Sequence, residues 1–197
     1  MLCGDLAAVT RAARTGRLPE IQLKVFHPLQ FMLASPEPTA EAILARLGAP
    51  VWLEEKYDGI RCQVHKQGAR VELYSRDLNR ITAQFPELAQ TIADLAADVI
   101  LDGELLAWRD DRALPFAELQ RRLGRKGDDF FLGAEVPVSF CAYDLLWLDG
   151  VSLLGNPLRE RRAALDSLAR RGPTVSLTVA PRREAADAVE IEAAFLA

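Results

Sequence analysis

Between Ile60 and Tyr74 the chain alternates apolar and polar residues with a period of two, and that pattern restricts it to half-buried strands. Ile60, Cys62 and Val64 interleave with Arg61, Gln63 and His65, Gln67-Gly68 makes a turn, and Val71-Glu72-Leu73-Tyr74 follows as a second strand. Two such runs joined by a tight turn commit the chain to an antiparallel hairpin with one face in a core. Further strands are expected over Val99–Ala107, interrupted by Asp102-Gly103-Glu104, over the apolar stretch Val136–Leu148, and over Val175–Val179. Apolar residues at helical spacing interleave with them: Phe85, Leu88, Ile92 and Leu95, then Phe116–Leu123 ended at Gly124, then Leu158–Arg170, and a last helix from near Glu184. Hairpins with interleaved helices give an α+β fold with a mainly antiparallel sheet.

The first fifty residues read differently. Asp5 to Arg14 forms a short helix stopped by Thr15-Gly16, and Pro19, Pro28, Pro36 and Pro38 then mark an extended connector with a short helix near Thr39–Leu47. At 197 residues and 50% hydrophobic, the chain can bury one good core with a small appendage. No run approaches the ~20 apolar residues that span a bilayer, and Met1-Leu2-Cys3-Gly4-Asp5 lacks the regions of a secretory signal. Cys3, Cys62 and Cys141 are scattered, which speaks against a disulfide framework or a zinc site and fits a reducing cytoplasm. Buried packing is the default role of Cys62 and Cys141.

The net charge of −4 does not advertise nucleic-acid binding, but arginines cluster locally: Arg121-Arg122 with Arg125-Lys126, Arg159 with Arg161-Arg162, Arg170-Arg171 and Arg182-Arg183. Such patches can meet phosphates. They equally suit solvated helix faces paired with Glu118, Glu160 and Asp166.

Chemistry concentrates in four places expected on one sheet system. Lys56 follows the apolar run Val51-Trp52-Leu53 and is ringed by Glu54, Glu55, Asp58 and Arg61. A lysine buried in such a strand-turn-strand setting becomes a nucleophile when desolvation or a neighbouring cation lowers its pKa. The alternative is a hairpin turn at Asp58-Gly59 with its charges in water. Tyr74-Ser75-Arg76-Asp77 leaves the next strand. Asp102 and Glu104, separated by one residue, should share a strand face and need a cation between them; oxygen ligands of this kind suit Mg²⁺. Tyr143 and Asp144 interrupt an apolar strand, where Tyr143 is either core or a platform for a nucleobase. No glycine-rich phosphate cradle is present.

Lys56-Tyr57-Asp58-Gly59-Ile60-Arg61 resembles the K-x-D-G-x-R signature of the covalent nucleotidyltransferases, the ATP-dependent DNA ligases and their relatives. Ser75-Arg76, Asp102-Gly103-Glu104 and Ala142-Tyr143-Asp144-Leu145-Leu146 resemble the family's following motifs in the same order. Phe31-Met32-Leu33-Ala34 is similar to its M-L-A entry, and Gly4-Asp5-Leu6 with its helix looks like the tail of a preceding DNA-binding domain. The resemblance implies a partial, ATP-grasp-like adenylation domain over 51–197, a connector over 17–50 and a helical remnant over 1–16. It implies that Lys56 takes AMP from ATP, that Glu54, Arg61, Glu104 and Tyr143 bind the nucleotide, and that Glu104, with Asp102, serves Mg²⁺. Asp58 and Gly59 support the lysine, and Ser75 and Arg76 contact DNA. The partner implied is nicked double-stranded DNA, met by a monomer in the cytoplasm with no membrane. An RNA ligase or capping-type enzyme shares these motifs, and a non-catalytic nucleic-acid-binding remnant is the alternative of another class. The family's E-G-hydrophobic-x-K motif, its phosphate-gripping lysines and its oligonucleotide-binding fold would follow residue 197, so residues 1–197 alone are expected to seal little.

Overall fold

A computed structural model describes residues 5–110, 112–123, 136–171 and 177–196. The chain forms two compact units: residues 1–31 with 57–179, and residues 32–56 with 180–197.

In the larger unit, α1 spans Leu6–Arg14, capped by Asp5, whose carboxylate accepts the Ala8 N–H at 2.9 Å. The expected hairpin is present as β2 (Ile60–Gln67) and β3 (Arg70–Ser75), turning at a Gly68 with φ +58°. They join β4 (Val99–Arg109), β6 (Val138–Leu148) and β7 (Val151–Ser152) in the order β3-β2-β4-β6-β7, with β5 (Arg112–Ala113) on β4 and β8 (Leu177–Val179) on β6. All of these pairs are antiparallel except β6–β8. The mixed α+β class with a mainly antiparallel sheet is as expected. The expected strand start at Val175 and the helix stop at Gly124 lie outside the described residues.

Helices α3 (Pro86–Ala93), α4 (Phe116–Leu123) and α5 (Leu158–Ala169) belong to this unit. The core gathers Cys62, Val64, Leu73, Leu101, Leu105, Phe140 and Leu145 with Leu88, Ile92, Leu119 and Leu165 of the helices. Cys62 and Cys141 are both buried, as their apolar setting predicted. Burial pushes the Cys62 thiol well above its usual range.

The opposite face of β2 is covered by the proline-containing segment before Met32. Leu23 and Leu29 pack with Ile100, Leu146 and Trp147. Polar side chains fix this segment's backbone: Gln63 accepts the Leu29 N–H at 2.9 Å and donates to the Leu29 carbonyl at 2.7 Å. His65 Nδ1 accepts the Phe26 N–H at 2.9 Å, and the Tyr74 hydroxyl donates to the Phe26 carbonyl at 3.2 Å. Arg70 lies 3.8 Å from the Phe26 ring centroid. The polar half of the β2 alternation is therefore largely buried, because it binds backbone rather than water.

This clasp makes stability depend on pH. Burial, helped by His27, lowers the His65 pKa to about 3, and protonation of Nδ1 would oppose it to the Phe26 N–H. The unfolded chain binds this proton below about 6.5 and the folded one only near the lowered value, so stability is lost as pH falls, by up to ~1.4 kcal/mol per pH unit. Urea midpoints between pH 7 and pH 5 should fall more steeply for the wild type than for His65→Gln. Equal slopes would remove the role assigned to His65.

The smaller unit contains α2 (Ala40–Leu47), β1 (Val51–Glu54), β9 (Arg182–Ala185) and α6 (Ala188–Phe195), around Ala40, Val51, Ala185 and Ile191. Here two expectations are corrected. β1 does not belong to the sheet of β2; it pairs antiparallel with β9, Val51 opposite Ala185 and Glu54 opposite Arg182. The last helix does not begin near Glu184. Arg182–Ala185 are strand, and the helix starts only after Asp187, whose carboxylate accepts the Glu190 N–H at 2.9 Å while Glu190 accepts the Ala186 N–H at 2.6 Å. That reciprocal capping sets the helix start.

Candidate active site

Strands β2, β4 and β6 carry Arg61, Asp102, Glu104 and Tyr143 of the residues that the sequence singled out. Arg61 stands opposite Glu104 across the β2–β4 pair, and Asp102, two residues before Glu104, shares its face. Arg61 grips Asp102 with both prongs, Nε to Oδ1 at 2.8 Å and Nη2 to Oδ2 at 2.7 Å. Its guanidinium carbon also lies 4.9 Å from the Tyr143 ring centroid and 5.7 Å from that of Phe31. One arginine thus connects a carboxylate with two aromatic rings.

Electrostatics follow from this packing. Burial raises the Asp102 pKa, with the Arg61 contact opposing it only in part. Burial works against the Arg61 charge, yet Asp102 and then Glu104 outweigh it and raise its pKa. Burial first, and then the Glu104 charge, push the Tyr143 phenol well above its ordinary value. Tyr143 therefore stays neutral and offers a ring face, not a charge.

Local backbone geometry explains why these residues are placed so. In the β4–β6 register Asp102 faces Asp144 and Gly103 faces Ala142, which leaves Tyr143 as an extra residue in a bulge. Bulges re-aim a side chain, and this one carries the aromatic of the site. Gly103 is required by close approach: a Cβ there would lie 2.3 Å from the Cys141 carbonyl oxygen and 2.7 Å from Phe140 Cζ. Gly59 is required in the same way, since its Cβ would meet the Leu105 carbonyl at 2.4 Å and Glu104 Cγ at 2.8 Å. The glycine after Asp58 lets the chain run against β4 beside Glu104, so it serves packing and not a hairpin turn.

Other predicted residues lie outside β2, β4 and β6. Lys56 is exposed, not buried, and is the last residue of its segment in the smaller unit, just before Tyr57 of the larger one. It does not sit in a strand-turn-strand hairpin, because β1 leaves to pair with β9. Glu54 is exposed at the end of β1, and Asp58 is exposed in the link to β2. Ser75 pairs with Cys62, one position along from Arg61, and its carbonyl accepts the Leu78 N–H at 2.8 Å in the turn that follows, where Arg76 is exposed.

A divalent cation fits this site in a limited way. Asp102 directs both oxygens at Arg61, and among the described residues no group of three or more His, Cys, Asp or Glu gathers for a metal. A lone carboxylate such as Glu104 would hold a Mg²⁺ ion only together with substrate oxygens and water, a pattern that Mg²⁺ accepts. A groove of about 440 Å³ lined by Ile21, Leu23, Val151 and Leu154 contains none of the predicted residues. Sequence reasoning missed Arg161, from α5, which holds Asp144 beside the bulge. Its helix pattern carried no signal of a partner on β6.

Comparison with known proteins identifies the family. The sequence model described as "ATP dependent DNA ligase domain" matches residues 31–197. A probable DNA ligase of Opitutus terrae is 63% identical over 85% of this chain and 20% of its own length. One of Koribacter versatilis is 41% identical over 94% of this chain and 32% of its own. This chain therefore spans a fifth to a third of those relatives. The ligase domain of LigD from M. tuberculosis superimposes with a TM-score of 0.56 at 33% identity, over 73% of this chain and 43% of that one. A mycobacterial DNA ligase D solved with ATP and MES gives the same score and identity. The chain belongs to the family of the ATP-dependent DNA ligase domain.

Proposed function

We propose that the protein carrying this segment is an ATP-dependent DNA ligase that seals nicks bearing 5′-phosphate and 3′-hydroxyl ends in duplex DNA, in repair, replication or recombination. The observation that carries the reading is the Arg61–Asp102 pair, with Tyr143 and Phe31 around the guanidinium and Glu104 opposite it, reached along the chain directly from Lys56. The neutral Lys56 amine attacks the α-phosphorus of ATP. A nitrogen–phosphorus bond forms, the bond to the β-phosphate oxygen breaks, pyrophosphate leaves with the electron pair, and the amine proton is lost to water. AMP then passes from Lys56 to the 5′-phosphate of the nick, and the 3′-hydroxyl displaces it.

Tyr143 stacks on the adenine, a contact on the order of 1–3 kcal/mol. Arg61 and Glu104 hold the ribose or metal region, Glu54 lines the base pocket, and Asp58 orients Lys56. Bound Mg²⁺, held by Glu104, supplies neutralisation of the charge on the transferred phosphoryl group. Asp102 is better suited to fixing Arg61 than to metal, given its two-pronged contact. Ser75 and Arg76 contact the phosphates of the nick.

The partner is nicked duplex DNA and the protein acts as a monomer in the cytoplasm, at the nucleoid. Among the described residues no helix is long and apolar enough to cross a membrane. Residues 1–16 are read as the end of a helical DNA-binding domain, which suits an α1 that buries no side chain. Residues 17–50 are read as a connector and 51–197 as part of the adenylation domain.

Labelling of the full-length protein with radioactive ATP or GTP, followed by sealing of nicked DNA or nicked RNA, tests this reading. Adduct from ATP and sealing of DNA are expected. Adduct from GTP alone, or sealing of RNA alone, would replace it with a capping-type or RNA-ligase activity.

A further inference from the structure

Arg161 lies outside every motif that pointed to the nucleotide site, in a basic run with Arg159 and Arg162 that could have met phosphates. The three arginines have separate fates. Arg159 is exposed, and Arg162 is buried with its Nε on Asp166 at 3.2 Å. Arg161 turns instead to β6. Its Nε reaches Asp144 Oδ1 at 2.9 Å and Oδ2 at 3.1 Å, and Nη2 reaches Oδ2 at 2.8 Å. Nη1 donates to the Asn156 carbonyl at 2.6 Å, so the fork is held at its other end by the turn that begins α5.

Asp144 directly follows the bulged Tyr143, and its Oδ1 also accepts the N–H of Leu145 at 2.9 Å. Both partners of the pair are only 17% exposed, so solvent screens it weakly. Asp144 further stands opposite Asp102 in the β4–β6 register, and its charge helps raise the Asp102 pKa. Two carboxylates facing each other across a strand pair repel. Here each has its own arginine: Arg61 on Asp102, and Arg161 on Asp144. Without Arg161 the Asp144 carboxylate would compete for the Arg61 guanidinium that lies against the Tyr143 ring.

We propose that Arg161 is a positioning residue of the nucleotide site: it pins Asp144, and through it the bulge that presents Tyr143 to the base, and it keeps Arg61 committed to Asp102. The inference rests on the reading of Tyr143 as the adenine platform. It assigns to an arginine of α5 a part in ATP affinity that no direct contact with the nucleotide would provide.

The test is Lys56 adenylation in the full-length protein as a function of ATP concentration, for wild type, Arg161→Met, Arg161→Lys, Tyr143→Ala and the Tyr143→Ala/Arg161→Met double variant. Arg161→Met should raise the apparent KM for ATP about tenfold with a nearly unchanged rate at saturation, the size expected for losing a well-placed stacking contact. Arg161→Lys keeps the charge but loses the fork, and should recover part of that loss. The double variant should be no worse than Tyr143→Ala alone, because Arg161 acts through Tyr143. An unchanged KM in Arg161→Met, a fall confined to the saturated rate, or losses that multiply in the double variant would each overturn the proposal. If Arg161→Met does not fold, Arg161→Lys carries the test, with a raised KM supporting the proposal and an unchanged one overturning it. Absence of labelling in the wild type would instead overturn the adenylation reading. Calorimetric titration with AMP then decides the positioning role, since weaker binding to Arg161→Lys than to wild type supports it and equal binding overturns it.

Discussion

Replacing Lys56 with alanine is expected to abolish the covalent AMP adduct, a loss of roughly a thousandfold or more in labelling, because the atom that forms the bond to phosphorus is removed. Arginine should not rescue it. A guanidinium stays protonated at any accessible pH and has no free electron pair to attack with. Stability should hardly change, since Lys56 is exposed and surface replacements away from special features stay within about 0.5 kcal/mol. That contrast makes the experiment decisive: an unaltered unfolding midpoint with no adduct separates a lost nucleophile from a lost fold. The wild-type adduct should survive denaturation and be released by acid, as a phosphoramidate is. Equal labelling of wild type and Lys56→Ala would sink the assignment.

The second large effect is expected at Gly103. A methyl group there would sit 2.3 Å from the Cys141 carbonyl oxygen, 2.7 Å from Phe140 Cζ and 2.9 Å from Ala142 Cα. Two of these three atoms are backbone of β6, the strand that β4 must pair with, so no side-chain rotation relieves the clash. Ordinary overpacking costs about 1–3 kcal/mol. Strand separation in the middle of the sheet should take Gly103→Ala beyond that range, a large part of a total stability of about 5–15 kcal/mol. Because the displaced strand carries Tyr143, nucleotide binding should fail along with stability. Gly155→Ala is the control, since a Cβ there meets nothing within 4 Å. Chemical denaturation measures both, and a Gly103→Ala midpoint equal to that of Gly155→Ala would show that the strands accommodate the methyl.

The two glycines of the site illustrate what was legible in the chain and what was not. Their positions beside Lys56 and between two carboxylates marked them as parts of motifs. The reason for them is contact with β4 and β6, and no local pattern announces a carbonyl that arrives from another strand. Lys56 itself was expected in a buried hairpin because Val51-Trp52-Leu53 and Ile60-Cys62-Val64 both read as strands. They are strands, but β1 pairs with β9 from the far end of the chain, and Lys56 lies exposed on the link between. The last helix read as starting near Glu184 because the register of Arg182–Ala185 with Val51–Glu54 is invisible locally, although Asp187 and Glu190 already spelled a helix start.

The sequence by itself determined the period-two strands of the β2–β3 hairpin, the helices over residues 6–14 and 40–47, the α+β class and the residue types of the candidate site, because each depends on neighbours within a few positions. Tertiary structure alone decided the partners: β1 with β9, Arg61 with Asp102, Arg161 with Asp144, and Gln63 and His65 with the backbone of residues 26–29. Those choices depend on long-range packing, where a buried charge or donor takes whichever partner the fold brings within hydrogen-bond reach.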